Sequence, residues 1–146
     1  MKKLIASIVL MMCFISLVQA QEWYHDFDEA KEIAQKNNRN IILVFSGSDW
    51  CAPCIRLERE IWNSKKFQTY AKDHFVLVCA DFPTKKANKL SKEQEKKNAL
   101  LAEKYNHEGN FPLVVVMDKH AVVLGYTGYK KVSPEEYIGI LESFNP

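Results

Sequence analysis

The run Cys51-Ala52-Pro53-Cys54, set directly behind Trp50 where an apolar stretch gives way to a helical pattern, most constrains what this chain can fold into. Ile41 to Ser46 is rich in β-formers, too short for a helix and bounded by Gly47, which predicts a buried strand. A helix begins within five residues of it. Pro53 is tolerated there because the first helical turn has no N–H partners to lose. Cys54, Leu57 and Ile61 share one face of that helix and must point inward. A strand that passes this quickly into a helix suits an open α/β sheet, with the cysteines at the strand's carboxyl end, where such sheets place their chemistry. A thiolate in the first helical turn faces unpaired backbone N–H groups that stabilise its charge. Two sulfurs three positions apart can also make and break a disulfide with each other. The spacing therefore predicts an exposed, attacking Cys51 and a shielded Cys54 that resolves the mixed disulfide.

The remaining chain alternates helix and strand. Asp26 with Glu29 marks a helix start, Phe27, Ala30, Ile33 and Ala34 share a face, and Asn37-Asn38 marks the stop. A second helical piece runs from about Ser64 to Ala71, and Phe75 to Ala80 reads as a central strand. Ser91 with Gln94 opens another helix, expected to turn Leu100, Leu101 and Tyr105 towards the core. Leu113 to Met117 and Ala121 to Thr127 form a hairpin around Asp118-Lys119-His120. Ser133-Pro134-Glu135-Glu136 combines an N-cap, a proline at the first helical position and a capping glutamate ahead of Tyr137, Ile138, Leu141 and Phe144.

Lys2 and Lys3 precede a charge-free stretch, Leu4 to Val18, and Val18-Gln19-Ala20 provides a cleavage site. Those fifteen residues are few for a bilayer span of about 20. The expectation is a cleavable signal peptide over 1–20 and one domain over 21–146, placed in the periplasm or secreted. Membrane contact is then limited to an uncleaved leader. Removing residues 1–20 from the 146 leaves 126 residues and takes the formal charge from +2 to 0. That balance argues against a nucleic-acid partner. Lys85, Lys86, Lys89, Lys92, Lys96 and Lys97 crowd one stretch, but Glu93 and Glu95 interrupt it, so it reads as a solvated face.

The mature chain keeps Cys51, Cys54 and Cys79, an odd number that excludes a multi-bridge disulfide scaffold. Cys79 lies in an apolar run and reads as a buried thiol. Without a second cysteine pair, and with His25, His74, His107 and His120 lacking ligand spacing, no metal site and no cofactor is expected.

The order of elements resembles the thioredoxin superfamily over nearly all of residues 22–145. Three separated landmarks carry the likeness: Trp50-Cys51-Ala52-Pro53-Cys54, Pro112 opening the first hairpin strand, and Gly128 after the second. Most similar are secreted members in which an N-terminal helix leads straight into the motif strand, with no extra edge strand. The resemblance implies a thioredoxin-like α/β fold, a central mixed sheet of about four strands flanked by helices. It implies a cis Phe111–Pro112 bond and a client segment paired with the backbone of Phe111, with Trp50 and Gly128 flanking the same groove. Many relatives carry a carboxylate six residues before the first cysteine. Phe45 stands there in this chain, which leaves Glu58 and Asp49 as candidates to take the proton of Cys54.

The expected activity is thus extracytoplasmic thiol-disulfide exchange by a monomer, reducing or isomerising client disulfides and resupplied with electrons by an unidentified redox partner. Ala52-Pro53 keeps the proline of the reducing members of the superfamily. The alternative from another class is a non-catalytic thioredoxin-fold module that holds clients or binds copper through its thiols.

Overall fold

A computed structural model describes residues 21–146, and the leader expected over 1–20 lies outside the described residues. Three helices start on the polar side chains that the sequence marks. Asp26 accepts the N–H groups of Asp28 and Glu29 to open α1 (Phe27–Asn37), which ends at Asn38 in the left-handed conformation, φ 53°. Ser91 caps α4 (Lys92–Tyr105), and Ser133 with Glu136 closes a reciprocal capping box on α5 (Pro134–Glu142). Between α1 and α4 lie α2 (Ala52–Leu57), extended by a wide π-helical turn at Glu58–Trp62, and α3 (Lys65–His74).

The strands are β1 (Trp23–Tyr24), β2 (Asn40–Ser46), β3 (Phe75–Asp81), β4 (Leu113–Met117) and β5 (Val123–Thr127), in the sheet order β1-β3-β2-β4-β5. The middle strand, β2, runs parallel to β3 from Asn40↔Phe75 to Ser46↔Asp81 and antiparallel to β4. The fold is therefore the expected mixed sheet flanked by helices, but with a fifth strand rather than about four. The expectation that helix α1 would enter the motif strand with no edge strand before it does not hold. Strand β1 pairs with β3 through only two residues, Trp23↔Leu77 and Tyr24↔Val78, too few to show any period in sequence. Tertiary contact holds it, because the Trp23 ring packs edge-on against Trp62 at 5.8 Å.

Alternation along the strands divides the core into two layers. Ile42, Val44 and Leu77 face α2, α3 and α5 and pack with Leu57, Ile61, Trp62, Phe67, Tyr137 and Leu141. Ile41, Leu43, Phe45, Val76 and Val78 face the other way, towards Ala30 and Ala34 of α1 and the half-buried Leu101 and Tyr105 of α4. Because both faces are covered, β2 and β3 read as unbroken apolar runs. Leu100 departs from expectation. It is 56% exposed, since the inward face of α4 carries Asn98, Leu101 and Tyr105 at helical spacing and Leu100 falls outside that stripe. Asn98 is buried and donates to the carbonyl oxygen of Asp81 at 2.8 Å, fastening α4 to the end of β3.

Candidate active site

Strand β2 ends in a turn whose hinge is Gly47. Its carbonyl accepts the N–H groups of Trp50 and Cys51 at 3.2 and 2.9 Å, which delivers Cys51 to the N-cap of α2 in an extended conformation. There the Cys51 sulfur accepts the N–H of Cys54 at 3.3 Å, pairing one donor that the helix start leaves without a backbone partner. The two cysteines form a disulfide with their Cα atoms 5.2 Å apart. The sequence places Cys51 outside and Cys54 inside, yet each is only 4% exposed. Once bonded, each sulfur shields the other. What separates them is their surroundings: Cys51 holds the helix-start N–H, whereas Cys54 borders a pocket of about 270 Å³ on the α2 side of the sheet.

The Phe111–Pro112 peptide is cis, as expected, and Pro112 lines the same pocket as Cys54. The ladder with β2 begins only at Leu113↔Phe45, so Phe111 lies outside it. Trp50 is 47% exposed, sets its ring edge-on to Phe111 at 5.3 Å and donates its indole N–H to the carbonyl of Phe82 at 2.7 Å. Phe82 in turn meets Phe111 at 5.5 Å, so three aromatic rings stand together next to the cis peptide. Gly128 sits against the proline, where an added Cβ would stand 3.1 Å from the Pro112 carbonyl oxygen, and its own carbonyl accepts the Tyr137 hydroxyl at 2.8 Å. Trp50, Phe111, Pro112 and Gly128 are thus brought together beside the cysteines.

The two carboxylates singled out for proton transfer go to different places. Glu58 borders the pocket that Cys54 borders. Asp49 turns away to the loop after β3, where it accepts the N–H groups of Thr84 and Lys85, each at 2.9 Å, the Thr84 hydroxyl and the Asn88 amide. The Thr84 N–H first, and then the other donors, hold its pKa down at about 2. A carboxylate so saturated and so acidic is an anchor for the loop, which sets Asp49 apart from the proton of Cys54.

Counting six residues back from Cys51 reaches Phe45, whose side chain lies on the opposite face of the sheet, so that position does not face Cys54 at all. Val44 and Ser46 line the pocket instead, together with Cys79 and Asp81 from the neighbouring β3. Sequence reading missed Asp81. Its signal is the parallel register Ser46↔Asp81, which no single strand reveals. Asp81 accepts the backbone N–H of Ser48 at 2.9 Å and its hydroxyl at 2.6 Å, bracing the turn ahead of Trp50. Cys79, expected to be buried, is only half-buried because it lines this pocket, and desolvation there, with Asp81 and Glu58 adding to the effect, pushes its thiol up to about 12.

A sequence model of the thioredoxin-like family matches residues 22–119. The chain is 32% identical over 120 residues to "Disulfide bond reductase DsbH" of Chlamydia pneumoniae, covering 82% of this chain and 70% of that protein. It is 26% identical over 87 residues to "Thioredoxin-related protein DsbJ" of the same organism, but this spans 55% of the chain and only 25% of the relative. Among solved structures, one described as DsbH oxidoreductase superposes with a TM-score of 0.78 at 31% identity over 86% of this chain and 84% of the other. A thioredoxin from Thermus thermophilus, at 16% identity and a TM-score of 0.63 over 86% and 87% of the two chains, shares the fold.

Proposed function

The chain belongs to the thioredoxin-like family and is a thiol-disulfide oxidoreductase, and from that premise we propose that it works outside the cytoplasm as a reductase of protein disulfides, with Cys51 attacking and Cys54 resolving. The observation that carries the assignment is the N–H of Cys54 aimed at the Cys51 sulfur at the helix start, since charge on that sulfur alone is met by a backbone donor. The reductive direction is supported by the DsbH relative, which is named a disulfide bond reductase.

In this reading the Cys51 thiolate attacks one sulfur of a client disulfide, and the client's S–S bond breaks as the new one forms. The departing client thiolate takes a proton from water. Cys54 then gives its proton to a base in the pocket, and its thiolate attacks the Cys51 sulfur, breaking the mixed disulfide and expelling the second client sulfur as a thiolate that takes up a proton. Two electrons pass to the client, and the protein is left with the Cys51–Cys54 disulfide seen here. A dithiol redox partner must return those electrons for another cycle. Glu58 is the proposed acceptor for the Cys54 proton, because it shares the pocket with that residue while Asp49 is engaged by its loop. The client lies along Phe111–Pro112 between Trp50 and Gly128, its extended backbone pairing with that of Phe111. A leader over residues 1–20, cleaved on export, would deliver the domain to its compartment.

Insulin reduction driven by dithiothreitol tests the activity. The wild type should accelerate precipitation of the insulin B chain and Cys51→Ser should not. In a lysate, Cys54→Ala should hold clients as mixed disulfides on Cys51, and an adduct profile matching that of Cys51→Ser would defeat the assignment.

A further inference from the structure

We propose that the lysine-rich loop after β3 is a docking surface beside the cysteine pair, selecting client proteins in which acidic residues flank the disulfide to be reduced; the inference rests on the reductase reading. From Phe82 to Lys92 the chain carries Lys85, Lys86, Lys89 and Lys92 and no acid. All four are exposed, and among the described residues none of them forms an ion pair. Lys97 differs, being tied to Asp26 at 2.8 Å and to Glu93 at 3.3 Å.

An exposed run of lysines is ordinarily just a solvated face. Its attachment makes this one different. Asp49, two residues before Cys51, takes donors from Thr84, Lys85 and Asn88, and so bolts the loop to the turn that presents the redox pair. At the loop's start, the Phe82 carbonyl holds the Trp50 indole while the Phe82 ring meets Phe111. The groove proposed for the client and the cationic loop therefore adjoin across one tryptophan. Asp49 and Asp81 are acids set into this surface, and Glu93 and Glu95 follow Lys92, so the positive excess is carried by Lys85, Lys86 and Lys89 next to the Asp49 anchor.

Adjacent residues are about 3.8 Å apart, so a client segment seated at Phe111 brings residues flanking its cysteine within a Debye length, about 8 Å in physiological salt, of the loop. Opposite charge there raises the rate of encounter and fixes the register of the bound strand. The formal charge of residues 21–146 is near zero, so this preference is local and not a property of the whole surface.

The test uses two synthetic peptides with the same disulfide, one flanked by Asp and Glu and the other by Lys, reacted with the reduced protein while tryptophan fluorescence is followed. At about 20 mM salt the acidic peptide should react about fivefold faster or more, and the advantage should collapse at about 500 mM salt. The triple variant Lys85→Gln, Lys86→Gln, Lys89→Gln should lose the advantage, while its rate with uncharged hydroxyethyl disulfide stays at the wild-type value. Equal rates for the two peptides, or a preference that survives in the triple variant, overturns the docking surface alone. Binding of the loop to vesicles containing phosphatidylserine, without discrimination between the peptides, overturns it in favour of a lipid-facing role. Failure of the wild type to reduce hydroxyethyl disulfide removes the reductase reading itself, and this inference with it.

Discussion

Gly47→Ala isolates what the turn before the cysteines contributes, since it adds one methyl group and removes no atom. A Cβ at Gly47 would stand 2.5 Å from Cζ2 of the Trp50 ring and closer still to Cε2, whereas ordinary contact begins at 3.4 Å, so the ring must retreat by about 1 Å. The indole is rigid and cannot bend out of the way. Such a retreat stretches the 2.7 Å bond from the Trp50 indole N–H to the Phe82 carbonyl beyond hydrogen-bonding length and loosens the edge-on contact with Phe111. The hydrogen bond is worth about 0.5–1.5 kcal/mol, and the aromatic pair about as much again. Together they predict a loss of about 1–3 kcal/mol, in the range found for overpacked sites. Urea unfolding followed by circular dichroism gives the stability change, and the indole N–H resonance of Trp50 reports the lost bond. If stability stays within about 0.5 kcal/mol of wild type and that resonance does not move, the ring is not seated on Gly47 as described and the reasoning fails.

Trp62→Ala should destabilise the fold by about 3–5 kcal/mol, because Trp62 is buried among Trp23, Phe67 and Tyr137; a loss under about 1 kcal/mol in chemical denaturation would contradict that packing. Asp49 has its pKa depressed to about 2, so the stability that its loop anchor contributes should be complete above about pH 4 and disappear as the pH falls through 2. Its side-chain carboxyl carbon shift in NMR should therefore stay flat from neutral pH down to about 4, and a midpoint near 4 would refute the anchor. With its pKa pushed up to about 12, Cys79 should resist iodoacetamide at about pH 8 in the folded protein, at about a thousandth of the rate of an ordinary thiol, and should label readily once unfolded. Rapid labelling of the native state would refute the raised pKa of this half-buried thiol.

Local signals in the sequence are strong enough to position most of the fold. The caps at Asp26, Ser91 and Ser133 act within three residues, so each can be read without knowing what the helix packs against. Cys51, Cys54, Phe111, Pro112 and Gly128 were readable because the thioredoxin pattern fixes their order along the chain. Features that depend on pairing between distant segments were not. Strand β1 exists only through two contacts with β3, and Asp81 enters the pocket only because the parallel register sets it beside Ser46. Leu100 misled because the apolar pair Leu100-Leu101 cannot both lie on one helical stripe, and the buried member of the turn is the polar Asn98. Asp49 misled in the opposite way. Nearness in sequence to Cys51 suggested proton transfer, while its carboxylate reaches a loop more than thirty residues away.

Strand β2 turns Val44 and Ser46 to the pocket that Cys54 and Pro112 line, and Phe45 to the layer that holds Phe82 and Phe111. In the proposed reading, sulfur reactivity and grip on the client chain are therefore approached from alternate residues of one strand. Substitution at Val44 or Ser46 should chiefly alter how readily the dithiol closes, and substitution at Phe45 how firmly a bound polypeptide is held, with Pro112 as the point where the two meet.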